Sequence, residues 1–365
     1  MRRMGVGLLL VAFAAAAASA QSLCSYRSPE SSMVDARLTF AYRYYDDAAT
    51  PFVDVNSGRL AVAYDQLFDS PNSGCTLVGA AELALSGFVP TAWLGQGAFT
   101  YRVYPWSEGV FFLFGGLEAA ASKGLPQPGL DARAGLGLGR FTDVTPLAKA
   151  IEIGTALVSL RAIPAVLSED VILAVASMIG RAGEYASPGE LVADIESIVE
   201  FDAGVQLDAR ALLTIEDLVL STGKERRCGW AVQVGVGYEL LDPYGGAQSA
   251  VFASSADAAF ASSPSDQFLF HASFSGPFGL LDENSLVGSA SYVVDLGKGQ
   301  AVTAGYTVSR IKPSGVPATT THQASLGLVF SLSRGSLGLQ ASVSHRTGEP
   351  GWSIDVSMSA ALELL

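Results

Sequence analysis

The feature that most narrows what this chain can fold into is a period-two alternation of side chains that reaches its last residues. In the final segment Trp352, Ile354, Val356, Met358, Ala360, Leu362 and Leu364 share one face, and Ser353, Asp355, Ser357, Ser359, Ala361 and Glu363 share the other. Successive side chains of a strand point to opposite sides, so this periodicity specifies β-structure. The same alternation, interrupted by turn residues, fills most of the 365 residues.

The chain opens with an export signal, residues 1–20. Arg2 and Arg3 supply the positive start, Gly7 to Ala17 the apolar stretch, and Ala18-Ser19-Ala20 a small-x-small cleavage site after Ala20. Cys24 follows closely, but Gln21-Ser22-Leu23 before it is a poor lipidation signal. Without Arg2 and Arg3 the mature chain carries 20 basic and 35 acidic side chains. That excess of negative charge argues against nucleic acid as a partner, since phosphate must be neutralised by Lys and Arg. Mean hydropathy is +0.34, yet no mature segment approaches the ~20 apolar residues of a spanning helix. An exported, apolar chain without spanning helices needs another place for its apolar surface. A closed barrel facing lipid provides it and satisfies every backbone donor and acceptor without water.

Six strands are predicted over 21–141. Leu38, Phe40, Tyr42 and Tyr44 oppose Arg37, Thr39, Ala41 and Arg43 on the first, and Leu60, Val62, Tyr64 and Phe68 oppose Arg59, Ala61, Ala63 and Asp65 on the second. Glu82 lies on the polar face of the third, and Arg102 on that of the fourth. The fifth, Val110 to Ala121, is apolar on both faces, which leaves its orientation open. The sixth sets Ala132, Ala134, Leu136 and Leu138 against Arg133, Gly135, Gly137 and Gly139.

Eight more strands are predicted over 226–365. The clearest alternates Trp230, Val232, Val234, Val236 and Tyr238 with Gly229, Ala231, Gln233, Gly235, Gly237 and Glu239. A hairpin through Gly297-Lys298-Gly299 would set Tyr292 opposite Tyr306. A tight turn at Arg334-Gly335 would set Phe330 opposite Leu339 and Leu328 opposite Ala341. With a periplasmic N-terminus, the periplasmic links come out short and the external ones, such as Gly87–Gly95 and Leu241–Gln248, mostly longer.

These features resemble bacterial outer-membrane β-barrels of the porin-like class, over about three quarters of the mature chain. The expected fold is an all-β, transmembrane, antiparallel barrel of about fourteen strands, with twelve or sixteen as alternatives, carrying an α-helical insertion. The resemblance implies an outer-membrane location, with membrane lipid and the barrel assembly machinery as partners. One departure bears on assembly: such barrels usually end in an aromatic residue, and this chain ends Leu362-Glu363-Leu364-Leu365.

Residues 142–225 read differently. Thr145-Pro146 fits a helix start with Thr145 as cap. Ser168 precedes a helical run ending near Gly180, and Ser187-Pro188-Gly189-Glu190 is a capping box. A fourth helix is predicted over Ala209 to Leu220. From Thr142 to Glu225 there are 14 acidic and 5 basic residues. The strand count places this acidic insertion on the periplasmic side, where a periplasmic protein is a candidate partner.

The inward faces are rich in Ser, Thr, Ala and Gly, with scattered charges. Arg37, Arg43, Arg59, Arg102 and Arg133 could oppose Asp65, Glu82, Glu239, Asp257, Asp295 and Asp355 across the lumen, or make local ion pairs that fix register. Gly135, Gly137, Gly139, Gly229, Gly235 and Gly237 line the strands that enter and leave the insertion. They would either let a helix of the insertion fold back as a plug or only provide curvature. Cys24, Cys75 and Cys228 fall near one membrane side; separate thiols or a Cys24–Cys75 disulfide are the expectations.

His271 should point inward. His322 and His345 should point outward near the external rim, about two residues out of register. Ser344 lies on the opposite face from His345, so no Ser/His pair for lipid hydrolysis forms, and no enzyme is expected. No carboxylate or thiol accompanies the rim histidines, so neither a metal nor a cofactor is expected. The leading expectation is a channel or transporter for small solutes, plugged or flanked by the insertion. The first alternative is a structural barrel that anchors a partner-binding module; the second, disfavoured by the missing Ser/His pair, is an outer-membrane lipid hydrolase using His345 at the external rim.

Overall fold

The computed structural model describes residues 23–26, 31–45, 55–106, 109–221, 225–246, 248–279, 283–297, 299–332, 335–349 and 351–363. The signal segment, with its cleavage site, lies outside these residues.

Fourteen strands close on themselves as an antiparallel barrel in simple sequence order, the last pairing with the first. They are β1 (Ser31–Tyr45), β2 (Val55–Asp69), β3 (Ser73–Ser86), β4 (Val89–Val103), β5 (Phe111–Ser122), β6 (Gly129–Asp143), β7 (Arg227–Leu241), β8 (Ala250–Ser263), β9 (Asp266–Pro277), β10 (Asn284–Gly297), β11 (Gln300–Lys312), β12 (Thr319–Leu332), β13 (Gly335–Arg346) and β14 (Ser353–Glu363). Four helices sit between β6 and β7: α1 (Thr145–Ser159), α2 (Glu169–Gly180), α3 (Pro188–Ala203) and α4 (Ala209–Leu220). Among the described residues no helix is long and apolar enough to cross a membrane.

Alternation sorts each strand into two faces. Leu113 and Leu117 of β5, Leu136 and Leu138 of β6, Val232, Val234 and Val236 of β7, and Ile354, Val356 and Met358 of β14 are exposed on the outside. Exposed apolar side chains in this number would be untenable in water and are favourable against lipid. The orientation of β5 is settled by its register with β6. Phe112 and Phe114 lie opposite Gly137 and Gly135, so both rings point inward, whereas Leu113 lies opposite outward Leu136.

Two hairpins differ from the sequence expectation by the same amount. Tyr292 pairs with Ala304, and Tyr306 with Ala290. Phe330 pairs with Leu337, and Leu328 with Leu339, because Leu332 and Gly335 close the turn. Each shift moves the register by two residues. A two-residue slip leaves every side chain on its own face, so the polarity pattern could not detect it. The predicted external loop Gly87–Gly95 is also corrected. β4 begins at Val89, and Gly87 (φ 56°) and Phe88 (φ 63°) form a two-residue turn with both central residues left-handed.

The helices share a separate core built from Leu147, Ile153, Leu157, Val175, Leu191, Ile195, Val199, Ala211, Ile215 and Val219. Leu23 is buried in the same core. The capping box holds: the Ser187 hydroxyl accepts from the Glu190 amide at 3.3 Å, and the Glu190 carboxylate accepts from the Ala186 amide at 3.3 Å. At α1 the cap differs from expectation. Thr145 is already helical, and Asp143 accepts its amide at 2.8 Å.

Cysteine pairing is corrected as well. Cys24 and Cys228 form a disulfide with Cα atoms 5.2 Å apart, and Cys75 is a free thiol. Cys228 wins because Leu23 to Tyr26 packs on the helical core that also buries Cys228, whereas Cys75 pairs in register with Tyr101 on the outward face. Burial of the Tyr26 phenol, together with the Asp143 carboxylate, pushes its pKa up, and Arg181 opposes this.

Candidate functional site: the inner wall of the barrel

Inward side chains of neighbouring strands make local ion pairs. Arg59 of β2 pairs with Glu82 of β3, and Arg133 of β6 pairs with Glu118 of β5. Asp257 of β8 bonds His271 Nδ1 of β9 at 2.6 Å, with the Ser255 hydroxyl 3.5 Å from its second oxygen. Asp295 accepts the Gly297 amide at 2.8 Å, which steadies the bulge beside the β10–β11 turn. Arg37 lies in register with Glu363, and Asp355 with Ser342. Asp65 faces Val78 across the β2–β3 pair. The side chain of Arg43 lies outside the described set.

Near the ends of β2, β4 and β6 that lie on the side of the chain termini, charge and aromatic surface converge. The Asp69 carboxylate is 3.6 Å from Arg140 Nε and is buried beside the Tyr104 phenol. The Arg140 guanidinium lies 3.9 Å over the Tyr104 ring, and that of Arg102 5.7 Å over Phe112. Tyr104, Phe112 and Ala231 are buried together against Phe114 and Phe141. This cluster thickens one part of the wall.

The glycine stripe belongs to the same part. A Cβ on Gly135 would lie 2.6 Å from the Gly235 Cα and 2.7 Å from the Phe114 ring. On Gly137 it would lie 2.6 Å from the Phe112 ring and 2.7 Å from the Val232 carbonyl oxygen. Gly139 (φ 118°) and Gly229 (φ 133°) adopt backbone conformations that other residues rarely reach. A Cβ on Gly235 would lie 2.6 Å from the Ala134 carbonyl oxygen of β6, and one on Gly237 3.2 Å from that of Ala132. The space beside Gly135, Gly137, Gly139, Gly235 and Gly237 is taken by phenylalanine rings or by the neighbouring strands.

Farther along the wall, toward the loops opposite the termini, a cavity of about 420 Å³ is lined by Gln96, Ala98, Glu118, Asp131 and Glu239. Three carboxylates border it and Arg133 answers only Glu118 by direct contact. The sequence reading named Glu239 but missed Glu118, Asp131, Asp69 and Arg140. Glu118 was legible as a lone acid in an otherwise apolar strand. Its pairing with Arg133 needed the β5–β6 register.

These features define the class. This is a porin-like barrel with an apolar, lipid-facing exterior, a small-residue and charged interior, and a helical insertion between β6 and β7. No protein-family model and no curated protein matches the sequence. Among solved structures the chain is similar to the outer-membrane channel DcaP of Acinetobacter baumannii, with 10% identity over 93% of this chain and 99% of the other, at a TM-score of 0.37. It is also similar to a BenF-like porin from Pseudomonas fluorescens Pf-5, with 7% identity over 91% and 98% of the two chains, at 0.36. OpdK of Pseudomonas aeruginosa, solved with vanillate, gives 8% identity over 91% and 98%, at 0.35. At these values the likeness extends to the barrel form and no further.

Proposed function

We propose that this protein is a channel for small polar solutes in the bacterial outer membrane, exported by residues 1–20 and carrying residues 142–225 as a periplasmic module. The observation that supports this reading is the opposite chemistry of the two faces of one closed sheet. Apolar side chains cover the outside, while paired and unpaired charges line the inside. The acidic cavity beside Glu118, Asp131 and Glu239 favours cations over anions in transit.

A second reading is a barrel that anchors a partner-binding module. Phe201 favours it, being 91% exposed on α3 among Glu196, Glu200 and Asp202. An aromatic side chain left in water on a charged helix is an ordinary anchor for a protein contact.

The test is conductance of the refolded mature protein in a planar bilayer, with and without residues 143–225. Stable steps from both forms support a channel with an appended module. Steps only from the shortened form identify the module as a plug. Silence from both, with insertion confirmed, refutes the channel and leaves the anchor.

A further inference from the structure

Two of the three histidines of the chain meet on the outer face of the barrel. His322 of β12 and His345 of β13 are direct cross-strand partners. They lie near the strand ends away from the termini. Cβ atoms of directly opposed residues sit about 4.5–5.5 Å apart and project to the same side. That separation lets two imidazoles converge on one cation at the ~2.0–2.1 Å of a metal–nitrogen bond.

The chemistry of the second ring nitrogens points the same way. His345 Nδ1 is 2.8 Å from the Gly351 carbonyl oxygen. A carbonyl only accepts, so Nδ1 carries the proton and the neutral ring keeps its lone pair on Nε2. Gly351 can present that carbonyl because it adopts a φ of 96° in the β13–β14 turn. Trp352 packs against the same ring, with centroids 5.0 Å apart. His322 Nδ1 is 2.7 Å from the Tyr306 hydroxyl of β11. A hydroxyl both donates and accepts, so His322 can take the tautomer in which Nδ1 donates to that oxygen and Nε2 keeps the lone pair, and metal binding at Nε2 selects it. A ligating histidine usually has its other nitrogen tied in this way, which fixes the tautomer and ring orientation.

We propose that His322 and His345 form a two-imidazole site for a transition-metal dication of the copper, nickel or zinc type, with Tyr306 and the Gly351 carbonyl as positioning groups. Imidazole selects these cations over magnesium and calcium, which prefer oxygen. Among the described residues no group of three His, Cys, Asp or Glu side chains gathers. Water therefore fills the remaining positions, and the site binds reversibly.

The experiment is Cu²⁺ titration of the full-length mature protein, refolded in detergent, followed by electron paramagnetic resonance. The expected result is one copper per chain with hyperfine coupling to two imidazole nitrogens. His322→Ala and His345→Ala should each reduce the coupling to one nitrogen and weaken binding, whereas His271→Ala should change neither. Tyr306→Phe should weaken binding on the order of tenfold while keeping both nitrogens. Retained heat-modifiable mobility on gels shows that each variant keeps its barrel. If a variant loses it, wild-type coupling to two nitrogens that disappears on urea unfolding serves the same purpose. No copper binding, coupling to a single nitrogen in the wild type, or an unchanged signal in the double His322→Ala, His345→Ala variant would overturn the proposal.

Discussion

Replacing Gly135 with alanine tests how closely β6 and β7 approach. The added Cβ would lie 2.6 Å from the Gly235 Cα and 2.7 Å from the Phe114 ring. Ordinary carbon–carbon contact is about 3.5–4.0 Å, so the two strands must separate locally by roughly 1 Å. Hydrogen bonds near 2.9 Å would then stretch to about 3.9 Å, beyond useful range. Overpacking of this kind costs about 1–3 kcal/mol, and each weakened backbone bond about 1 kcal/mol more. A loss of about 2–4 kcal/mol follows. With a urea slope of about 3 kcal/mol per M, the unfolding midpoint in detergent should fall by about 1 M. Gly95→Ala is the matched control, because a Cβ there meets nothing within 4 Å. Equal midpoints for Gly135→Ala and Gly95→Ala would refute the close approach.

Other expectations follow from the same geometry. Cys228→Ser opens a linkage spanning 204 residues and should destabilise the helical unit by about 2–5 kcal/mol, seen as an earlier loss of helical circular dichroism in urea. Thiol labelling of the denatured, unreduced protein should modify Cys75 and spare Cys24 and Cys228. Ile195→Ala removes a fully buried side chain and should cost about 2–5 kcal/mol in the same unfolding assay. If the lumen conducts, the double variant Glu118→Gln, Glu239→Gln should shift the reversal potential in a salt gradient toward lower cation preference; an unchanged potential would remove the acidic cavity from the ion path.

Much of this protein is determined by its sequence alone, where the information is periodic and local. Period-two alternation is enough to define most strands, assign most faces and bring the count to about fourteen, because an inward and an outward environment impose opposite polarity at every step; closure of the sheet fixes the number. Helix starts are equally local, as the Ser187 capping box illustrates. What the sequence leaves undecided are relations invariant to its pattern. A slip of two residues keeps every face intact, so the pairing of Phe330 with Leu337, or of His322 with His345, is decided only by turns and closure. β5 shows the same limit, since an apolar strand acquires a direction only from Gly135 and Gly137 opposite its phenylalanines. The Cys24–Cys228 bridge joins residues 204 apart, and no local rule selects that partner. The tertiary structure decides it by burying Leu23 and Cys228 in one core. Ion pairs depend on the same information: Arg133, Asp257 and His271 are individually legible as polar inward residues and Glu118 becomes one once β5 is oriented, but which carboxylate meets which cation follows from strand order and register.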